Sequence, residues 1–156
     1  YPRRVKTRVG HKRWGRMWTS NHYSYMLKLP PKSRLKKHLT LTKLKKKADA
    51  LFSIHIRKKY QNAEGIIQCY TCSYSGPINK MQCGHFVSRY YLATRYDERN
   101  CRPQCITCNI WRNGRTPEFA EKLTKELGDG IVEELFAKGR ELTRNFNYQE
   151  IINRYS

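Results

Sequence analysis

Between residues 40 and 62, apolar or half-apolar side chains recur at Leu41, Leu44, Ala48, Leu51 and His55, with Phe52 alongside. Steps of three and four put them on one helical face and predict an amphipathic helix, with Lys45, Lys46, Lys58 and Lys59 on its other side. His55 is expected there as a half-buried packing residue. Ile66-Ile67-Gln68 reads as a short strand, Gly76-Pro77 as a turn, and Ile78 to Phe86 as the returning strand. Residues 87–100 are polar, aromatic and basic without clear period, and read as a loop. A helix is expected to begin near Cys105 and run through Trp111, stopped by Asn113-Gly114, whose residues tolerate the left-handed conformation. Thr116-Pro117-Glu118 is a strong restart, with Phe119, Leu123 and Leu127 continuing the helix to Gly128. Asp129 is expected to cap a further helix carrying Ile131, Leu135 and Phe136. Asn147-x-x-Glu150 has the form of a capping box for a last short one.

Charge changes how the first third of the chain is read. The 156 residues carry 32 Lys and Arg against 12 Asp and Glu, a formal net charge of +20. Residues 1–47 hold 16 of those 32 basic side chains, and the first acid is Asp49. Like charge this dense opposes collapse, so 1–38 is expected to form an extended arm without a core of its own. Trp14, Trp18, Tyr23 and Tyr25 lie among its cations, placed to stack on bases or to pack on a protein neighbour. An excess of this size calls for a polyanion, and nucleic acid is the default partner. A membrane surface is the poorer fit, because no basic segment carries a wide continuous apolar face. No run of about 18 apolar residues reads as a transmembrane helix.

The hydrophobic fraction of 38% predicts a modest core that a metal staple would help. Six cysteines supply one. Cys69-x-x-Cys72 and Cys105-x-x-Cys108 are two metal-binding knuckles separated by 32 residues, and four thiolates in two such turns can close a tetrahedral zinc site. The spacing is that of a metal site and not of a disulfide framework, which points to a reducing, intracellular compartment. Cys83 and Cys101 are left over, expected as small, partly buried thiols or as substitutes for a knuckle ligand.

Between the knuckles lies one histidine, His85, after Gly84. A strand, a histidine, a loop and a helix stapled by zinc form the outline of a ββα-metal nuclease site. Phosphodiester hydrolysis needs a base to activate water, and a neutral imidazole near pH 7 suits that role. It also needs a divalent cation against the phosphate. Asn109, directly after Cys108, offers an amide oxygen to Mg²⁺ or Mn²⁺, and Mg²⁺ accepts few protein ligands because it keeps its waters. Asn100 is placed to hydrogen-bond across the loop and orient His85. Arg89, Arg95, Arg112 and Arg115 surround the site in sequence; one or two are expected to clamp the scissile phosphate and the rest to follow the backbone, together with Lys45 and Lys46. Tyr90 and Tyr91 can stack on an unpaired base or pack. Nothing reads as a base-recognition helix, so DNA shape and backbone charge are the expected determinants.

The segments Cys69-Tyr70-Thr71-Cys72, Cys83-Gly84-His85-Phe86, Arg95-Tyr96-Asp97-Glu98-Arg99-Asn100 and Pro103-Gln104-Cys105-Ile106-Thr107-Cys108-Asn109 resemble the phage-lambda NinG (Rap) recombination endonucleases. More broadly they look like the HNH, or His-Me finger, nucleases. The resemblance covers roughly 40–140. It implies a metal-dependent nuclease acting on branched recombination intermediates in a phage-infected bacterial host, with His85 as general base, Asn100 orienting it and Asn109 holding the catalytic metal. It also implies structural zinc on Cys69, Cys72, Cys105 and Cys108. Many HNH enzymes carry Asp immediately before the catalytic His, where this chain has Gly84; an Asp-Arg-Gly-His variant carries it where this chain has Gln82. Three arrangements follow: Asn109 as sole protein ligand, Asp97 joining from the loop, or weak metal binding.

The expected architecture is α+β. It comprises a basic arm (1–38), an amphipathic helix packing on the core (39–64), a zinc-stapled HNH-like core (65–115) and a helical cap (116–156). The arm can also serve partner proteins of recombination or of the phage. The rival reading is a non-catalytic, zinc-bound nucleic-acid-binding subunit of a larger assembly. A third keeps the nuclease but assigns it to packaging or homing.

Overall fold

The computed structural model describes residues 40–156. The basic arm, with Trp14, Trp18, Tyr23 and Tyr25, lies outside the described residues. The rest is α+β: helix α1 (Leu41–Lys59), strands β1 (Ile66–Gln68), β2 (Ser75–Pro77) and β3 (Met81–His85), a one-turn α2 (Leu92–Arg95), strand β4 (Cys101–Cys105), then α3 (Thr116–Leu127), α4 (Ile131–Gly139) and α5 (Tyr148–Tyr155). The strands form two antiparallel pairs, β1 with β2 and β3 with β4.

The predicted amphipathic helix forms, with its buried stripe turned slightly from expectation. Ala48, Phe52 and Ile56, four residues apart, are its buried positions, and Leu41 is exposed. The stripe packs on α5 through Tyr148, Ile151 and Ile152, with Tyr96 and Cys101 beneath. His55 sits off it, 3.0 Å from Glu98, while Lys45 and Lys46 project to solvent as expected. Arg57, Lys58 and Lys59 close the helix, where cations complement the exposed carbonyls.

Gly76-Pro77 is not a turn. Both residues lie in β2, opposite Ile67 and Ile66. The chain has already reversed inside the knuckle, where the Cys69 amide donates to the Tyr74 carbonyl at 2.8 Å. The returning strand is therefore shorter than 78–86: Ile78–Lys80 is a 3₁₀ turn and the strand proper is Met81–His85. Its partner β4 was hidden in a polar run, Cys101-Arg102-Pro103-Gln104-Cys105, all five buried. The loop 87–100 also contains more order than its composition predicts, holding α2 and a 3₁₀ turn at Glu98–Asn100.

After β4 the chain forms one wide π-helical turn, Thr107–Trp111, in place of a longer α-helix. Asn113, Gly114 and Arg115 then have φ of 46°, 77° and 48°, the left-handed break expected of Asn-Gly but extended by one residue. Arg115, not Thr116, thus stands at the N-cap of α3. Gly130 (φ 89°), and not Asp129, occupies that position for α4. Asn147 caps α5 as predicted, its Oδ1 accepting from the Gln149 and Glu150 amides. Phe119, Leu123, Ile131 and Leu135 close a second core over Phe86 and Val87. Arg102, buried between the Tyr60 and Tyr70 rings, forms a two-pronged pair with Glu126 that latches α3 to β4.

A four-cysteine cage beside a histidine cleft

The two knuckles meet. The Sγ atoms of Cys69, Cys72, Cys105 and Cys108 all lie within 4.8 Å of one another, with Cys69, Cys105 and Cys108 buried. β1 delivers the first pair and β4 the second. The Tyr70 amide donates to the Pro103 carbonyl at 2.8 Å and the Cys105 amide to Cys69 Sγ at 3.3 Å, joining one knuckle to the other. Burial opposes ionisation of Cys69, but the Cys105 and Thr71 amides outweigh it and bring its thiol down to about 7. Cys72 goes the other way, pushed up to about 12 by burial and by its sulfur neighbours. One thiolate forms readily while the next is resisted by its neighbours, a balance that a dication at the centre would reverse. Four sulfurs so arranged can hold a structural metal such as zinc.

β3 runs from the cage toward His85, in register with β4: Gln82 faces Gln104, Gly84 faces Arg102 and His85 faces Cys101. A Cβ on Gly84 would lie 2.1 Å from Gln104 Oε1, so no side chain fits there without moving Gln104. Gln104 is itself fixed, donating from Nε2 to Thr71 Oγ1 and to the Gly114 carbonyl. Residue 84 is glycine because the neighbouring strand occupies the space a carboxylate would need.

A cleft of about 580 Å³ opens between α1, β3 and the turn after β4, and both His85 and Asn109 line it. His85 Nε2 donates to the Arg95 carbonyl at 3.1 Å. A neutral ring holding its proton on Nε2 carries its lone pair on Nδ1. Burial lowers the His85 pKa, and the facing carbonyls only partly offset it, so the ring is neutral near pH 7. Asn109 Nδ2 donates to Gln82 Oε1 at 2.6 Å, and Asn109 Oδ1 has no hydrogen-bond partner among the described residues. Arg89 is exposed and lines the same cleft.

Other expected site residues fall elsewhere. Among the described residues the Asn100 side chain makes no hydrogen bond to His85. Its fully buried side chain accepts from the Val87 amide (2.7 Å) and donates to the Val87 and Thr94 carbonyls, tying the loop shut. Asp97 turns away from the cleft to bind Arg99 and Lys138. Burial raises its pKa, yet those partners prevail and hold it at about 2. Arg95 lines the cleft, but its guanidinium is consumed by Asp49, at 2.8 and 2.6 Å, and by the Arg89 carbonyl. Arg115 pairs with Glu118, and exposed Arg112 stands by the cysteine cage. Sequence reasoning missed Asp49, which also accepts from Tyr96 at 2.8 Å, and Arg57, whose Nη1 reaches the Ile78 carbonyl at 2.8 Å. An acid on the polar flank of a basic helix gave no signal beyond being the first in the chain.

Fold and site together define a small α+β protein in which a four-cysteine cage adjoins a histidine-bearing cleft. No helix among the described residues is long and apolar enough to cross a membrane. The family model described as Bacteriophage Lambda NinG protein matches residues 26–156, and the chain belongs to that family. No curated protein and no solved structure matches it.

Proposed function

We propose that this protein is a metal-dependent DNA endonuclease of HNH type, acting on branched or recombination-intermediate DNA. The observation that carries the reading is the shared cleft. A neutral imidazole, anchored through Nε2 so that Nδ1 is its base, opens into the same space as the Asn109 amide oxygen, which has no partner among the described residues. The β3–β4 hairpin followed by the 107–111 turn has the order of a ββα-metal unit.

The donor set suits a hard cation that retains water. Asn109 Oδ1 is a neutral oxygen on offer beside His85, and the carboxylate lining the cleft, Asp49, is spent on Arg95 and Tyr96. A Mg²⁺ or Mn²⁺ ion held by Asn109 would neutralise charge on the phosphate and stabilise the departing 3′ oxygen. His85 Nδ1 takes a proton from the attacking water, leaving a 5′ phosphate on the product. Burial keeps the ring neutral and ready to accept it. The Arg95 carbonyl then stabilises the imidazolium, and Asp49 fixes Arg95. Arg89 is placed to bind a phosphate from the rim. Zinc in the four-cysteine cage would fix the turn that carries Asn109.

The commitment of Asp49 to Arg95 also favours a second reading, a zinc-bound nucleic-acid-binding subunit that does not cut, because it leaves the cleft without a free carboxylate. Labelled branched, single-stranded and duplex DNA incubated with Mg²⁺, Mn²⁺ or EDTA decides between them. The nuclease reading predicts metal-dependent cutting, strongest on the branched substrate. Tight binding with no cutting under any metal would favour the second reading.

A further inference from the structure

Cys83 and Cys101, the two cysteines outside the cage, both lie against His85. Cys83 precedes His85 by two positions on β3, so both side chains leave the same face of the sheet. Cys101 is the register partner of His85 on β4. The two Sγ atoms and a ring nitrogen of His85 lie within 4.8 Å of one another. Cys101 is fully buried beneath α1, whereas Cys83 and His85 line the cleft. Three donors thus converge at the wall of the cleft, two of them, Cys83 and His85, open to it and the third, Cys101, behind them. Two thiolates and an imidazole are three of the four ligands of a tetrahedral zinc site, whose fourth can be water from the cleft, and sulfur selects Zn²⁺ over Mg²⁺.

We propose that Cys83, His85 and Cys101 form a second metal site, specific for thiophilic ions such as Zn²⁺, whose occupancy withdraws the base and switches the protein off. The inhibitory half rests on the role of His85 proposed above; the binding half does not. A neutral imidazole has one lone pair, and here Nε2 holds the proton against the Arg95 carbonyl. That lone pair can accept a proton from water or bind a metal, but not both. Binding releases the two thiol protons to solvent, with no change in oxidation state. The four-thiolate cage fills first, so the second site responds only to zinc beyond one equivalent.

The test titrates reduced, metal-free full-length protein with Co²⁺, read by thiolate-to-cobalt absorption, beside Cys83→Ala and His85→Ala. The expected stoichiometry is two Co²⁺ per wild-type chain and one in each variant; a single equivalent in the wild type would overturn the proposal. In a parallel cleavage assay, Zn²⁺ beyond one equivalent should stop wild-type cutting. Cys83→Ala should cut at the wild-type rate and need at least tenfold more Zn²⁺ to be stopped. Equal zinc sensitivity of the two proteins would refute the switch. Two cobalt equivalents in a wild type that cuts nothing at one equivalent of zinc would uphold the metal site and contradict the nuclease reading instead.

Discussion

Gln104 decides what residue 84 can be. Its Oε1 has no hydrogen-bond partner among the described residues, an uncompensated buried acceptor, and it fills the space above Gly84. Gly84→Ala should therefore cost about 1–3 kcal/mol as overpacking in a fixed strand pair, read as a lower urea midpoint. The same change in a Gln104→Ala background should cost less; equal costs in both backgrounds would show that the two side chains do not compete. Asp97 offers a test in pH. Its carboxyl titrates at about 2 in the folded chain, against about 3.9 unfolded, so its stabilisation is present above pH 4 and disappears as pH falls toward 2. At neutral pH, Asp97→Asn should destabilise by roughly 2 kcal/mol, and the gap between variant and wild type should close across that window. An unchanged gap at pH 2.5 would mean that Arg99 and Lys138 do not hold the charge.

At the scale of elements, the segments carrying apolar periodicity were legible and the polar ones were not. α1, β1, α3, α4 and α5 are visible as apolar stripes or capping signals. β4 is not, because its alternation is Cys-Arg-Pro-Gln-Cys and its buried donors find polar partners: Glu126 for Arg102, Thr71 and Gly114 for the Gln104 amide nitrogen. The meeting of the two cysteine knuckles was legible from their spacing, and the cleft shared by His85 and Asn109 agrees with the order of those residues in the chain. The direction of Asn100 and Asp97 was not, since both depend on how the loop 86–100 folds back on itself. Asn100 serves that fold. Asn100→Ala leaves the Val87 and Thr94 groups unpaired and should cost about 3 kcal/mol, with amide exchange accelerated first in residues 86–96. Exchange no faster there than elsewhere would exclude the loop tie. A zinc ion held by the four-cysteine cage would act at this scale too, because structural sites contribute about 10–16 kcal/mol in small peptides. Stripping such a metal should release the 69–72 and 105–111 segments, and Asn109 with them. Unchanged protection of those amides in the metal-free protein would contradict a structural role.

For the whole molecule, the net charge of +20 would supply affinity for DNA without sequence preference under the proposed function. Lys45 and Lys46 stand on the solvent side of α1, whose Asp49, Phe52, Ser53 and Arg57 line the cleft. If they meet DNA phosphates, Lys45→Gln with Lys46→Gln should weaken binding evenly across sequences and reduce the slope of log K against log salt by about 2. An unaltered slope would place the DNA elsewhere. Binding is the common property of both functional readings; chemistry separates them, and the account rests on one ring. The most direct measurement is the single-turnover cleavage rate of His85→Ala against wild type, at equal zinc content and saturating DNA, with affinity measured alongside. The account predicts a loss of about 10²–10⁴ in rate with affinity nearly unchanged, and a wild-type rate that falls only at pH below the ordinary imidazole range. A variant that still cuts within tenfold of wild type would contradict it.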